Sequence, residues 1–177
     1  MFDMVLIFGG AVLAAAAIVL LVFSIGMRRK TPWVLNGVRR FSRAVGNPLQ
    51  MRSAGTPGAY ASVIRHDGRA SGRSYATPVA AEPTSNGFVI GLVYGPNTDW
   101  LKNVLASGTA TIEHEGRSYP VDRPEMVSTE EVRDVFEPKE LRTLRRYRVT
   151  SCWRLRTVDV PGDDPAEPAH LIVAAPG

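Results

Sequence analysis

The chain has 177 residues, enough for one domain of ordinary size with an appendage but short for two globular domains. It carries 21 Lys and Arg residues against 17 Asp and Glu, a formal charge of +4, and a single cysteine, Cys152. One cysteine excludes an intramolecular disulfide framework. It is consistent with a reducing compartment, in which Cys152 is expected to be a small core residue.

The charge is segregated along the chain. Residues 28–69 contain nine Lys or Arg and one Asp, nine minus one or +8, whereas the last twenty residues are acidic. A basic cluster suits nucleic acid, a membrane surface or an anionic ligand. Nucleic acid is disfavoured here because the cluster lacks the interleaved aromatic residues typical of single-strand binding.

An apolar segment at the start of the chain favours lipid. Residues 4–27 contain no charged side chain. A helix of this length can cross a hydrocarbon layer of about 30 Å. A cleaved signal peptide is the alternative, but the basic residues Arg28, Arg29 and Lys30 follow the segment instead of preceding it. We therefore predict that residues 1–30 form a single-pass transmembrane anchor with its basic flank. The positive-inside rule places the rest of the chain in the cytoplasm.

Residues 31–58 are predicted to form an amphipathic juxtamembrane helix and a linker. Thr31 and Pro32 suit the N-cap and first position of a helix, and Gly46, Asn47 and Pro48 are expected to end it. Its apolar face contains Val34, Val38, Phe41 and Val45, and its basic face contains Arg39, Arg40 and Arg43. Such a helix lies in the lipid headgroup layer, packs on the following domain, or does both.

The third part, residues 59–177, shows short strand-like runs separated by turn residues. Strands are predicted near 59–66, 74–82, 87–94, 109–115, 117–123, 149–160 and 170–175, and helices near 97–108, 128–136 and 138–144. Pro78 places its strand at an edge or a bulge, and the apolar run 87–94 is typical of a strand buried on both faces. The pattern predicts an antiparallel α+β domain, most simply a small barrel.

The sequence contains none of the common catalytic motifs of phosphate-loop hydrolases, zinc proteases or α/β-hydrolases. Its three histidines, His66, His114 and His170, lack the spacing of metal ligands, so no metal site is predicted.

The stretch "GRASGRSYATPV", residues 68–79, has the composition of an anion-binding loop. Gly68 and Gly72 permit close backbone approach, whereas Arg69 and Arg73 offer guanidinium donors and Ser71 a hydroxyl. The residues alone leave open a solvated hairpin turn whose arginines contact only water.

The order of three segments extends this observation. "GRASGRSYATPV", "GFVIGLVYG" and "TDWLKNVLASGTATIEHEGRSYPVDRPEMV" together resemble the deazaflavin (F420)-dependent nitroreductase and quinone reductase family, whose members are split β-barrels related to pyridoxamine-phosphate oxidases. The resemblance covers roughly residues 60–127. The residues that match the family's pattern are Gly68, Arg69, Ser71, Gly72, Pro78, Val79, Trp100 and Asn103.

This resemblance implies an α+β split β-barrel that binds coenzyme F420 and passes a hydride to a quinone, nitroaromatic or similar electron-poor acceptor. By analogy, the phosphate would lie at Arg69, Ser71, Gly72, Arg73 and Tyr75, and the ring would lie near Thr77, Pro78, Val79, Tyr94, Trp100 and Asn103. Tyr147 is a candidate on the acceptor side. There are two alternatives. The cofactor is FMN in place of F420, or the protein is a non-catalytic barrel that binds a lipophilic ligand or partner at the membrane.

The chain departs from the family's pattern at Ala70 and Tyr75, where many members carry a basic residue; Arg73 could replace part of that charge. Trp100 also has a structural alternative as a core anchor, and Asn103 as a helix-to-loop hydrogen bond. The sequence names neither the acceptor nor the oligomeric state.

Overall fold

The computed structural model describes residues 2–158, which form helices at the N-terminus followed by a sheet domain. The helices are α1 (Phe2–Arg28), α2 (Pro32–Phe41), α3 (Asn47–Gln50), α4 (Asp99–Ser107) and α5 (Pro138–Arg146), with a π-helical turn at Ser42–Gly46 and a 3-10 turn at Arg133–Val135. The strands are β1 (Ser62–Asp67), β2 (Ser74–Val79), β3 (Ala81–Thr84), β4 (Gly87–Gly91), β5 (Thr109–His114), β6 (Arg117–Ser128) and β7 (Ser151–Thr157). The predicted strand at 170–175 lies outside the described residues.

The strands form one antiparallel sheet, as predicted, in the order β2-β1-β5-β6-β7-β4-β3. Its two edge strands, β2 and β3, are consecutive in the chain and are separated by Ala80 alone. The sheet therefore curls until its two edges meet at that residue. Pro78 lies in β2, so the prediction of an edge strand is confirmed.

The concave side of the sheet holds the main apolar core. Ile64, Ile112 and Leu155 are completely buried there, and α4 adds Leu101 and Val104. Strand β4 is buried on both faces, as predicted, because Phe88 and Ile90 point into this core whereas Val89 points to the opposite face.

On the opposite face, α5 and the 3-10 turn cover β4 and β7. Cys152 is completely buried there among Val89, Phe136 and Leu144, so its prediction as a core residue is confirmed, and burial raises the pKa of its thiol. The predicted helix at 128–136 is wrong. The Ser128 hydroxyl does accept the Glu131 amide hydrogen bond, but β6 continues to Ser128 and only a 3-10 turn follows, since pairing with β7 holds that residue.

The N-terminal helix α1 has the length and apolar composition of a membrane span over Gly9–Arg28, properties that a signal sequence shares. Residues 9–23 are exposed throughout, so α1 is not a core helix of the domain. Its end packs on α2: Met27, Val34 and Leu35 are buried together. Gly26 allows this approach, because a Cβ there would collide with the Val34 side chain.

Helix α2 packs on the domain, which confirms one of the two placements predicted for it. Val93 and Tyr147 of the domain contact the cluster around Met27. Lys30 Nζ donates to the Val93 carbonyl at 3.1 Å, and burial lowers the pKa of Lys30. The helix does not end at 46–48. Pro48 falls in the first turn of α3, where its missing N–H costs nothing, so the helical path continues through the π-helical turn.

Candidate functional site

The loop between β1 and β2 is anchored to the side of α4. The Arg69 backbone N–H donates to Asn103 Oδ1 at 3.2 Å, and Arg69 Nη1 donates to the same oxygen at 2.8 Å. Arg69 Nη2 also lies 3.9 Å from Asp99 Oδ1. The guanidinium of Arg69 is thereby directed along α4, and 43% of its side chain is exposed to a ligand.

Five backbone amides of this loop donate hydrogen bonds within the protein. The N–H groups of Gly68, Ser71 and Gly72 donate to loop carbonyls, and that of Arg73 donates to Ser71 Oγ. With the Arg69 amide bound to Asn103, these groups do not point together at an anion, contrary to the expectation drawn from the glycines. Recognition of an anion at this loop would therefore depend on side chains.

Gly68 leaves room for two side chains of the loop. A Cβ at that position would lie 2.5 Å from Ser71 Oγ and 2.6 Å from the Tyr75 ring. Ser71 Oγ and the Tyr75 hydroxyl are 3.2 Å apart, and the Tyr75 ring stacks on His66 with centroids 5.9 Å apart. Tyr75 therefore lies against the loop, and Gly68 leaves the space that it occupies.

A polar network behind the loop fixes the orientation of its members. Because Asn103 Oδ1 accepts from Arg69, its Nδ2 must donate to His66 Nδ1, which is 3.2 Å away. His66 Nε2 then carries the proton and faces Thr77 Oγ1 at 3.4 Å. Burial lowers the pKa of His66, against a smaller opposing effect of Asp67, so the imidazole is neutral at pH 7. Asn103 thus makes the helix-to-loop hydrogen bond that its sequence alternative describes.

An open apolar cleft of about 870 Å³ lies at the other end of β2. Three of the predicted site residues, Pro78, Tyr94 and Tyr147, line it. The opposite wall comes from α1, α2 and the π-helical turn, including Phe23, Met27, Val38 and Phe41. Tyr94 and Tyr147 are distant in sequence, and only the packing of α5 and the β4–α4 turn against α2 brings them together.

Two other predicted residues lie in the core. Trp100 is 8% exposed and packs with Val79 in the cluster around Ile64 and Val104. Neither residue lines the cleft. In this structure Trp100 anchors α4 to the sheet, the structural alternative given above.

The arginines of residues 31–58 were not among the predicted site residues. Arg39 Nη2 donates to the Tyr94 carbonyl at 2.7 Å, and Arg43 Nη1 donates to Asp99 Oδ2 at 3.0 Å. Their four-residue spacing places them on one helical face. The sequence signal was therefore present, but it also suited lipid headgroups, and only the fold shows that this face meets the domain.

A carboxyl pair lies where α5 begins. The pKa of Glu82 is raised to about 7, first by burial, then by the charge of Glu140 and their mutual hydrogen bond, and last by Glu137. Glu140 also accepts the Glu137 amide hydrogen bond in the capping box of α5. We therefore expect the contact between Glu82 of β3 and Glu140 of α5 to depend on pH near neutrality.

No family model matches the sequence, and no curated protein matches it. Three solved structures are similar to parts of the chain. The F420-H2-dependent reductase FDR-A shares 14% identity over 55% of this chain and 94% of its own, with a TM-score of 0.44. A protein described as a domain-swapped dimer shares 14% identity over 68% of this chain and 98% of its own, with a TM-score of 0.43. An F420 reductase shares 9% identity over 61% of this chain and 92% of its own, with a TM-score of 0.40.

Two of these three structures carry the name of an F420 reductase, the class that the sequence resemblance implies. Similarity of this size establishes neither the family nor the function of the chain. The function has to be inferred from the residues of the site.

Proposed function

We propose that the protein is a membrane-anchored oxidoreductase that transfers a hydride from reduced F420 to a quinone, nitroaromatic or similar electron-poor acceptor. One observation carries the proposal: strand β2 joins an arginine-bearing loop at Ser74 to an apolar cleft at Pro78. Four residues of strand span about 13 Å. An anionic group and a planar ring connected by a short linker would suit those two ends.

The residues present fit such a cofactor in a defined way. Arg69, Arg73 and the Ser71 hydroxyl would hold the phosphate, since the loop amides are occupied. Pro78 and Tyr94 would contact the ring in the cleft, and Tyr147 would lie on the acceptor side. When bound, the deazaflavin supplies the hydride chemistry, and the protein supplies position and the exclusion of water.

Neutral His66 has a positioning part in this proposal. It holds Thr77 next to Pro78 on one side and Asn103 on the other. Asn103 in turn holds Arg69. A series of hydrogen bonds therefore connects the anion end of the site to the ring end, so that a movement at one end would shift the residues at the other.

The cleft is also where an acceptor soluble in lipid would enter. The side chains of Ile18, Val22 and Phe23 from α1 form part of its wall. We propose that α1 spans the membrane with its N-terminus outside and that the sheet domain, closed as a split barrel, lies on the cytoplasmic side. Exposed Trp33 and Phe41 would then contact the headgroup layer.

The test is a titration of the full-length protein in lipid nanodiscs with F420, followed by the cofactor's fluorescence. We expect a micromolar or lower Kd, weakened at least tenfold in Arg69→Gln, since a hydrogen bond to a charged group contributes about 1.5–3 kcal/mol. Arg123→Gln is the matched control because its side chain is 75% exposed and pairs only with Asp122 at 3.8 Å among the described contacts. Oxidation of reduced F420 by a short-chain quinone then tests the reaction itself.

Other outcomes of that titration lead to different functions. Tight binding of FMN without F420 would assign an FMN enzyme on the same fold. Failure to bind either cofactor at micromolar concentration would contradict the cofactor-dependent proposal.

A non-catalytic protein that binds a lipophilic ligand or partner is the second candidate. The observation that favours it is the wall of the cleft, which is largely made by apolar side chains of α1 and α2. Native mass spectrometry of protein purified from its host would then show a hydrophobic ligand and no deazaflavin.

A further inference from the structure

Three arginines from two distant parts of the chain converge beside the β4–α4 turn. Arg43 Nη1 binds Asp99 Oδ2 at 3.0 Å, and Arg69 Nη2 lies 3.9 Å from Asp99 Oδ1, so one carboxylate faces two guanidinium groups. Arg39 reaches the same turn at the Tyr94 carbonyl. The juxtamembrane segment and the β1–β2 loop therefore present their cations at one edge of the domain.

The charges at this edge do not balance. Two guanidinium groups, those of Arg43 and Arg69, face the single carboxylate of Asp99, and Arg39 adds a third positive charge at the Tyr94 carbonyl of the same turn, three minus one or +2. The side chains of Arg43, Asp99 and Arg69 are 62%, 60% and 43% exposed, so an added anion can reach them. Clustered like charges repel one another unless an anion is shared between them.

Much of the donor capacity at this edge is unused. A guanidinium has five N–H donors, and Arg43 spends one of them on Asp99. Arg39 Nε and the Thr98 hydroxyl are buried, and neither has a hydrogen-bond partner within residues 2–158. Thr98 stands at the N-cap of α4, yet its hydroxyl makes no capping hydrogen bond. Polar atoms buried in this way are uncommon in folded proteins and call for a ligand or water.

The π-helical turn contributes to this arrangement. Arg43 lies in the turn Ser42–Gly46, where one turn of helix contains an extra residue. Removing that residue would rotate the following side chains by about 100° around the helix axis. The irregular turn therefore helps to set the direction in which the segment meets Asp99.

We propose that Arg39 and Arg43 join Arg69 in binding the phosphate or carboxylate groups of an anionic ligand, with Asp99 as the internal counter-ion. The juxtamembrane segment would then be part of the ligand site and not only a connection to the membrane. Side chains must supply the recognition, because the loop amides are occupied. The same segment lines the apolar cleft through Val38 and Phe41, so it would contact both ends of the ligand.

The inference rests on the proposed function only for the identity of the ligand, so two probes are used. F420 binding is measured by fluorescence, and inorganic pyrophosphate binding by calorimetry, both with full-length protein in nanodiscs. The variants are Arg39→Gln, Arg43→Gln and, as matched control, Arg40→Gln. Arg40 is exposed on the same helix and has no side-chain hydrogen bond or ion pair among the described contacts.

We expect Arg39→Gln and Arg43→Gln each to weaken binding of either probe about tenfold at low salt, and Arg40→Gln to change it less than twofold. If F420 binds and only Arg69→Gln weakens it, the inference is wrong while the proposed function stands. If F420 does not bind but pyrophosphate does, with the same dependence on Arg39 and Arg43, the proposed function fails and the inference stands. Binding of neither probe overturns the inference.

A second variant separates ligand binding from docking of the helix. Asp99→Asn removes the internal counter-ion but keeps the side-chain size. Severalfold tighter binding of pyrophosphate is expected because the arginines lose their competing anion. Weaker binding would mean that Asp99 is needed to hold the arginines in place and that no ligand charge replaces it, which contradicts its role as a counter-ion.

Discussion

The sheet core and the N-terminal layer, which α1 and α2 form, differ in the amount of apolar contact that holds them. Twelve buried side chains form the cluster on the concave face of the sheet, whereas three, Met27, Val34 and Leu35, form the cluster that joins α1 and α2 to the domain. Hydrogen bonds from Lys30 and Arg39 to backbone carbonyls and from Arg43 to Asp99 also hold this layer. Since burial dominates stability, the core determines whether the domain folds and the layer is held more weakly. The cleft lies at the boundary between the two.

The largest effect is expected from the core. Leu101→Ala should lower the free energy of unfolding by about 2–5 kcal/mol, because this side chain of α4 is 1% exposed and its truncation removes buried apolar contacts. Chemical denaturation in detergent measures it. Leu105→Ala on the same helix is the control; Leu105 is 45% exposed, and a change within about 0.5 kcal/mol is expected. Equal effects would mean that α4 does not belong to the core.

The second largest effect is expected from the polar network of Asn103, His66 and Arg69. Asn103→Leu leaves the Arg69 amide and His66 Nδ1 without partners, which should cost about 1–3 kcal/mol of stability. It should also weaken anion binding, since Arg69 loses its support. Lys102→Leu on the same helix serves as the control. An unchanged F420 or pyrophosphate affinity would show that Asn103 only stabilises the fold.

A change in the N-terminal layer should loosen that layer without unfolding the core. Gly26→Ala brings a Cβ into collision with Val34 and should weaken the docking of α2 by about 1–2 kcal/mol. Hydrogen exchange should then rise in residues 32–46 and stay unchanged in β4. Gly37→Ala is the control, because its Cβ would meet nothing within 4 Å. Parallel loss of protection in β4 would contradict the separation of the two regions.

The smallest effect is expected from Glu82. Its pKa is raised to about 7 in the folded protein, so between its ordinary value of 4.5 and 7 the folded state holds a proton that the unfolded state releases. This contribution to stability is present at low pH and is lost as the pH rises through 7. After allowance for solvent screening, we expect a loss of about 1 kcal/mol between about pH 5 and pH 8.

Glu82→Gln should flatten that pH dependence and stabilise the protein at about pH 8, as measured by thermal unfolding across the pH range. Glu130→Gln is the control, since Glu130 is largely exposed and pairs with Arg133 at the surface. A pH dependence unchanged by Glu82→Gln would show that another group is responsible.

Local sequence signals predicted most of the elements correctly. Glu115 and Gly116 form the turn between β5 and β6, with φ values of 51° and 75° that suit such a hairpin. The prediction failed at 128–136, where a capping signal competed with strand pairing to β7, and strand pairing is not visible in local sequence. The predicted helix end at 46–48 is also wrong, because Pro48 lies in the first turn of α3, where a proline is tolerated.

The candidate site was predictable only in part. The loop at Arg69 and the strand at Pro78 were identified from residue type and order. Asn103 makes the helix-to-loop hydrogen bond that is one of its two predicted roles, whereas the contacts of Arg39 and Arg43 with the β4–α4 turn were not predicted. Their spacing fits either a lipid surface or a protein surface, and no local rule distinguishes the two.

By itself the sequence determined the apolar N-terminal helix, the antiparallel sheet and the polar composition of the loop ahead of Pro78, because these depend on periodicity and residue type within a short window. Only the tertiary structure decided that Tyr94 and Tyr147 line one cleft, that Trp100 belongs to the core, and that Arg43 pairs with Asp99. Tyr94 and Tyr147, like Arg43 and Asp99, are more than forty positions apart, and their placement follows from how the elements pack to bury apolar surface.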